Sequence, residues 1–425
     1  MQIVAQIAYK LHISRVLTAY FCKLTIYFFK GDISLRLNYP IFKLLMLNFR
    51  YFFVKTNVKI RKIKNFLVIY FLYIYNAFVM KKKILLILSS AVTTFTIATT
   101  QISAKPNSTQ KETQNQTSFN ATLSPRAKMA NDLRWGHWNI LKASNKKDDK
   151  LKSIAAVIKK LDYDLIGLTE VLDSSAIQSI VDHLNSIHGT KSYEYISSQK
   201  LKGKQASPGQ AEHVGIIYKN DKLKPLPFVN NTIGYSYTSS FSHHPLTNAE
   251  YVRPPFGAQF EWKTRLKKDK LTFVFDHFDS PGAKNGEQTI HGMGAQEYVE
   301  AQQLPNVLLT FETMSQSKNI FFAGDTNIKV NKESIAFSNL NNYTKAFDDN
   351  LSNSTSLSDT PNQYSQPYDK IFYKTNLLLN QAFIYDLWNV KNDSQVNSYL
   401  SILKSAYLEP KKISDHAPIG VDIQG

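Results

Sequence analysis

From about Met129 onward the chain alternates short apolar runs with longer stretches in which apolar residues recur every three or four positions. The short runs are rich in β-branched and aromatic residues and have strand length. They fall at 133–140, 165–169, 214–218, 256–262, 271–275, 320–323 and 419–423. Leu151, Ile154, Ala155, Ile158 and Leu161 trace one face of a helix, because residues three and four apart share a side. A second helix is predicted through about Asn185, and 294–314 reads as a long helix between two strands. Some strands follow one another directly and others are joined through helices. That mixture predicts a mixed α/β sandwich rather than a purely parallel sheet. No internal repeat is present.

Upstream, the pattern changes character. Residues 105–128 are rich in Gln, Asn, Ser, Thr and Lys with little apolar content, the composition of a solvated linker. Met80, the basic run Lys81-Lys82-Lys83, an apolar stretch to about Ala98 and Ile102-Ser103-Ala104 have the layout of a secretory signal peptide over 80–104. No Cys follows it, so a lipid anchor is not expected. A secreted or extracellular protein is predicted, either released or held at the cell surface. Residues 1–79 form a basic, aromatic-rich extension, read as upstream translation outside the mature protein. The competing reading is a segment for membrane association, since 66–79 is charge-free although short for a span.

Charge distribution corrects a first impression. Over 425 residues the formal charge is +18, which suggests a nucleic-acid binder. Yet residues 1–79 hold eight Lys and four Arg against the single acid Asp32, and residues 106–425 carry a net charge of only +3. Attraction to phosphate must therefore come from a local patch. Hydrophobic content of 43% is enough for a large core. The sole cysteine, Cys22, excludes an intramolecular disulfide and a structural Cys-based zinc site.

Five polar clusters stand just beyond or before apolar runs: Asn139, Glu170, His277-Phe278-Asp279-Ser280, Gly324-Asp325-Thr326-Asn327 and Ser414-Asp415-His416-Ala417-Pro418. Taken singly, each is an ordinary turn or strand-end residue. Together they are what a metal-assisted phosphodiester hydrolase needs, held on rigid strand ends. Mg²⁺ takes only one or two carboxylates and keeps several waters, so sparse oxygen ligands suffice. Two histidines suit such a reaction, one taking a proton from water and one giving a proton to the leaving alkoxide. Each needs an acidic neighbour to orient it, and Glu212 and Asp369 are the candidates.

In order, these residues, with Glu212-His213-Val214-Gly215-Ile216-Ile217-Tyr218, Arg253-Pro254-Pro255-Phe256 and Tyr368-Asp369, resemble the endonuclease/exonuclease/phosphatase superfamily. The pancreatic-type deoxyribonuclease and mycoplasma membrane-nuclease branches are the most similar, and the resemblance covers about 130–425. It implies a four-layer sandwich of two mixed β-sheets flanked by helices, forming a nuclease domain over 129–425. Glu170 then matches the metal-binding acid, with Asn139 and Asp415 beside it. His277 and His416 match the catalytic histidines, paired with Glu212 and Asp369 respectively. Asp325 and Asn327 would touch the scissile phosphate or its metal. The implied cofactor is Mg²⁺, supported by Ca²⁺ or Mn²⁺. Arg253 would contact substrate phosphate, since a guanidinium suits bidentate binding. Gln210 replaces an aromatic that the nuclease branch tends to place there, and the lysines at 200, 202 and 204 could follow a nucleic-acid backbone.

The leading expectation is thus an exported, Mg²⁺-dependent nuclease that hydrolyses DNA, and RNA as a further substrate, with little sequence preference. Backbone contacts carry no base information, so low specificity is the default. The alternative keeps the scaffold and changes the substrate to a phospholipid head group, as in the sphingomyelinase branch, with 228–241 as the apolar segment entering a bilayer. A binding protein on an inactivated scaffold is disfavoured because each expected catalytic position holds a competent residue. No obligate protein partner is evident.

Overall fold

A computed structural model of the chain describes residue 125 and residues 127–425, apart from 264–267 and 285. The expected extension at 1–79, the signal peptide at 80–104 and most of the 105–128 linker lie outside the described residues. In chain order the first strands are β1 (Leu133–Ala143), β2 (Leu165–Val171), β3 (Tyr193–Ser197), β4 (His213–Lys219), β5 (Leu223–Leu226) and β6 (Gly234–Ser236). Next come the hairpin β7 (Phe241–His243) and β8 (Leu246–Ala249), then β9 (Phe256–Trp262), β10 (Lys270–His277), β11 (Thr289–Ile290) and β12 (Met293–Gly294). The last are β13 (Ile320–Asp325), β14 (Thr344–Lys345), β15 (Asp369–Lys374), β16 (Phe383–Ile384) and β17 (Ile419–Ile423). Three helices matter most: α1 (Asp148–Leu161), α2 (Ser174–His188) and α3 (Ala295–Ser315).

The strands make two mixed sheets. One has the order β16-β17-β1-β2-β4-β3, and the other β14-β15-β13-β10-β9-β5 with β6 also on β9. Each sheet has a parallel pair, β1 with β2 and β10 with β13, and antiparallel neighbours around it. A parallel pair needs a crossover, and α1 and α3 supply it.

Side-chain alternation sets the layers. Leu133, Trp135, Leu165, Val214, Phe260, Phe273, Phe321, Ile371, Ile419 and Val421 form the core between the sheets. Trp135 lies 5.2 Å from Phe273 and 5.3 Å from Phe321, ring centre to ring centre, so this layer is tightly filled. The alternate residues Trp138, Ile140, Ile166 and Leu168 pack instead on α1 and α2. Val274, Ile320 and Phe322 pack with the apolar face of α3. The result is helices, sheet, sheet, helix. Gly167 lets the sheets approach, since a Cβ there would lie 2.1 Å from the Phe275 ring.

Two expectations change. Phe228, Tyr237 and Phe241 are buried in the core beneath α3, so 228–241 presents no aromatic tip for a bilayer. Lys128, placed in the linker by composition, is tied to buried Asp164 at 2.9 Å and to Asp162 at 2.6 Å. Among the described residues no helix is long and apolar enough to cross a membrane.

Candidate active site

Each row of residues in the inter-sheet layer turns polar at one end. On β1 the row runs Leu133, Trp135, His137, Asn139; on β10 it runs Leu271, Phe273, Phe275, His277. On β13 it ends at Asp325 and on β15 it begins at Asp369. Two-residue periodicity thus carries the side chains of apolar strands to one polar rim. Strand register fixes them side by side: Asn139 opposite Thr169, His277 opposite Asp325, and Asp325 opposite Asp369.

Asp325 is the hub. Its Oδ2 accepts from Asn139 Nδ2 at 3.0 Å and lies 3.6 Å from His277 Nε2 and 3.4 Å from His416 Nε2. Both imidazoles therefore aim the same nitrogen at one point. Each has its other nitrogen on an acid: His277 Nδ1 lies 3.2 and 3.1 Å from the two Glu212 oxygens, and His416 Nδ1 lies 2.6 Å from Asp369 Oδ2. The pairings follow the expected order. Asn327 donates from its side chain to the Phe278 carbonyl at 3.3 Å, and its backbone N–H binds Asp325 Oδ1 at 3.1 Å.

Charge differs between the two pairs. For His277, burial and the Arg253 cation oppose protonation, while Glu212 and Asp325 favour it, with a net rise above the ordinary histidine range. For His416, burial is opposed by Asp325, Asp369 and Asp415, and its pKa is raised well above that range. Glu212 is buried, yet His277 and Arg253 hold its pKa below the ordinary value. Asp369 is also buried, and His416 and His137 hold it low.

The residues expected to hold a metal are Glu170, Asn139 and Asp415. Asn139 Nδ2 also donates to Glu170 Oε1 at 3.1 Å, and Lys142 N–H donates to Glu170 Oε2 at 3.1 Å. Asp415 Oδ1 is buried and has no hydrogen-bond partner, a cost that a cation or its water would relieve. Glu170 and Asp415 are hard oxygen donors, and a pair of carboxylates matches what Mg²⁺ asks of a protein. The donor set fits a divalent ion. With the amide so oriented, Asn139 Oδ1 faces Leu141 N–H at 3.0 Å rather than the acids, so Asn139 ties Glu170 to Asp325. Among the described residues no three His, Cys, Asp or Glu groups converge as a complete cage. Burial pushes the Lys150 ammonium down to about 8, helped by Lys147 and opposed by Asp415 and Glu170.

Arg253 departs from expectation. It is buried, with Nε donating to the His277 carbonyl at 2.7 Å and Nη2 donating to the Phe278 carbonyl. Nε also lies 3.7 Å from Glu212. These bonds hold the strand end carrying His277, and burial removes the guanidinium from the rim where a substrate phosphate would pass.

His137 escaped the sequence reading, and Ser414 and Tyr368, quoted there within motifs, were given no role. His137 is buried behind Asp369, with Nδ1 3.2 Å from Asp369 Oδ1 and Nε2 3.0 Å from Thr169 Oγ1. Ser414 Oγ donates to the Asn139 carbonyl at 2.6 Å and accepts from His416 N–H at 3.0 Å. Tyr368 stacks on His416 with centroids 6.3 Å apart. The signal for His137 was its place two residues before Asn139, on the same face of β1.

The profile of the Endonuclease/Exonuclease/phosphatase family matches residues 136–416, more than half of the chain. An uncharacterized protein of Mycoplasma pneumoniae is 39% identical over 188 residues, spanning 41% of this chain and 38% of that relative. The chain thus matches less than two fifths of that curated relative's length. Among solved structures, a family protein from Bacteroides thetaiotaomicron is 17% identical, covering 69% of this chain and 97% of its own, with a TM-score of 0.44. A mannosyl-6-phosphatase from the same organism is 15% identical, covering 68% and 98%, with a TM-score of 0.44. D. rerio TDP2 complexed with single-strand DNA product is 15% identical, covering 69% and 99%, with a TM-score of 0.45. These likenesses assign no substrate to this chain.

Proposed function

The chain belongs to the endonuclease/exonuclease/phosphatase family, and from that premise we propose that this phosphoesterase is an exported, Mg²⁺-dependent nuclease. It cleaves DNA, and RNA as a further substrate, with little sequence preference. The observation that carries the reading is the convergence of two acid-backed imidazoles on Asp325 Oδ2, at 3.6 and 3.4 Å. Two such groups on one point match the two proton transfers of phosphodiester hydrolysis.

The unequal surroundings divide the work. His416 faces three carboxylates and keeps its proton firmly, which suits the general acid. His277 has the Arg253 cation opposing its protonation, although Glu212 and Asp325 still raise its pKa, and the general base is assigned to it. His277 Nε2 takes a proton from the attacking water, and His416 Nε2 donates one to the departing alkoxide oxygen. Glu212 and Asp369 hold the ring tautomers in which Nε2 does this work. Glu170 and Asp415 would hold Mg²⁺, with Asn139 orienting Glu170; the bound ion supplies positive charge for the phosphate oxygens. Asp325 and Asn327 line the floor where the phosphate rests.

A polyanionic substrate is supported by exposed lysines on the loops that leave the site. They include Lys142, Lys146 and Lys147 after Asn139 and Lys329 after Asn327. The lipid reading is weakened because Phe228, Tyr237 and Phe241 of 228–241 are buried, which leaves Val229 and Ile233 as its exposed large apolar residues.

The test is purified protein with supercoiled plasmid, with sphingomyelin liposomes, and with either substrate plus EDTA. Plasmid nicking that EDTA abolishes is expected. Liposome hydrolysis without nicking would replace the nuclease reading with the lipid one, and nicking unaffected by EDTA would remove the metal.

A further inference from the structure

Beside Asn139 the backbone does something costly. Leu141 and Lys142 are consecutive non-glycine residues with φ of 44° and 50°, in the left-handed region that L side chains resist. Across from them Glu170 has φ of 56°. The β1–β2 register slips here: Asn139 pairs with Thr169 but Ala143 pairs with Val171, so four steps on one strand face two on the other. Strain of this kind persists only where surrounding contacts over-determine it, and it clusters at functional sites.

The strained turn has a visible purpose. Leu141 N–H donates to Asn139 Oδ1 at 3.0 Å, and Lys142 N–H donates to Glu170 Oε2 at 3.1 Å. Two successive amides thus fix the two side chains on the metal side. What holds the turn itself is Lys150, whose Nζ donates to the Leu141 carbonyl. Lys150 is an unusual choice. It sits in the first turn of α1, where the helix dipole favours an acid, and only 4% of it is exposed. A buried ammonium at a helix N-terminus is unfavourable unless its bond matters.

We propose that Lys150 is a positioning residue for the divalent ion. Its ammonium pins the Leu141–Lys142 turn, and that turn aims Asn139 and Glu170. The inference rests on the reading of Glu170 as a metal ligand, so the test separates the two.

Mn²⁺ binding to the full protein is measured by the electron paramagnetic resonance of free Mn²⁺, alongside metal-free melting curves, for wild type, Lys150→Met, Lys150→Arg and Glu170→Gln. Lys150→Met is expected to weaken Mn²⁺ binding about 10-fold, the loss typical of a group that orients a ligand. Lys150→Arg keeps the cation and a donor and should bind within about 3-fold of wild type, by the same reasoning. Leu141→Val opposes the left-handed turn without touching the lysine, which guards against a Lys150 variant that fails to fold, because a β-branched residue resists positive φ. It should also weaken Mn²⁺ binding while the protein still melts as one folded unit.

If Lys150→Met binds Mn²⁺ as tightly as wild type, or more tightly, the lysine is only a like charge near the ion and the proposal falls. If Leu141→Val binds as wild type does, the turn does not position the ligands and the proposal falls as well. Undiminished binding by Glu170→Gln overturns the metal-site reading itself, and the role of Lys150 with it.

Discussion

Replacing Asp369 by Asn removes one charge and almost no volume from a wholly buried position. In the wild type Asp369 Oδ2 lies 2.6 Å from His416 Nδ1, a charge-assisted bond between buried groups. Such a bond is worth roughly 1.5–3 kcal/mol net. If it must hold the His416 proton and ring through the transition state, losing it costs about 10- to 100-fold in kcat, at about 1.4 kcal/mol per decade. An inverted amide that favours the wrong ring tautomer would add to this, so about 100-fold is the expected loss, with KM little changed. The pH profile is more telling. Asp369 is one of the carboxylates that raise the His416 pKa, so without it that pKa falls. As the general acid, His416 is active when protonated, and its loss of the proton sets the alkaline limb. That limb should move to lower pH while the acid limb stays in place. A small chromogenic phosphodiester assayed across pH, with saturating Mg²⁺ and a melting control, reads both quantities. Activity within about 3-fold of wild type, where a general acid should count for at least ten times more, would refute the reasoning. Movement of the acid limb instead would exchange the roles of the two histidines.

Arg253→Met should act on stability before activity, because it strips the donors from two buried carbonyls and leaves Glu212 with one cation fewer; about 3–5 kcal/mol is expected in denaturant unfolding. Unchanged stability with a raised KM would return Arg253 to the phosphate-contact role. Gly167→Ala places a methyl 2.1 Å from the Phe275 ring between two packed sheets and should cost about 1–3 kcal/mol by overpacking, against a null result if the sheets can part. Asp276 is fully buried with Oδ2 unpartnered, and burial followed by the Glu300 charge raises its pKa well above 3.8. Its folded form therefore favours the proton: that stability is complete below the unfolded pKa and is lost as pH rises through the folded one. Asp276→Asn should flatten this decline between acid and alkaline urea titrations, and parallel wild-type and variant curves would contradict it.

Much of the site was legible because it extends a period of two. Anyone who marks Trp135 as core can step to His137 and Asn139, and from Phe273 and Phe275 the next step is His277. Glu212 leads into Val214 and Ile216 on the same face, and Asp325 follows Phe321 and Ala323. Strand-end position and the family resemblance singled these residues out, and the period of two is why the fold brings them to one rim. What failed to show was whatever depends on non-local burial. Arg253 before two prolines reads equally well as a surface cation or an internal strut, and only packing against His277 decides between them. Lys150 sits among exposed charges at a helix start, and nothing local marks it as buried. Glu170 escapes its strand's alternation through a left-handed backbone that a glutamate code does not announce.

The two histidines are alike in sequence context and unlike in surroundings, and that difference gives the site a direction. Glu212 divides its charge among His277, Arg253 and the Glu170 amide, at 3.1, 3.7 and 3.1 Å for the nearest atoms. A carboxylate so divided supports its imidazole less. Asp369 gives its closest oxygen to His416 at 2.6 Å, and the second imidazole near it, His137, stands 3.2 Å away without hydrogen-bond alignment. Proton affinity thus rises across the rim from His277 to His416, while both Nε2 atoms face Asp325. A phosphodiester seated over Asp325 would meet the weaker proton holder on one side and the stronger on the other. That arrangement suits water entering at His277 and the alkoxide leaving at His416. Arg253 opposes protonation of His277 without reaching the rim, against Glu212 and Asp325, which raise its pKa on balance.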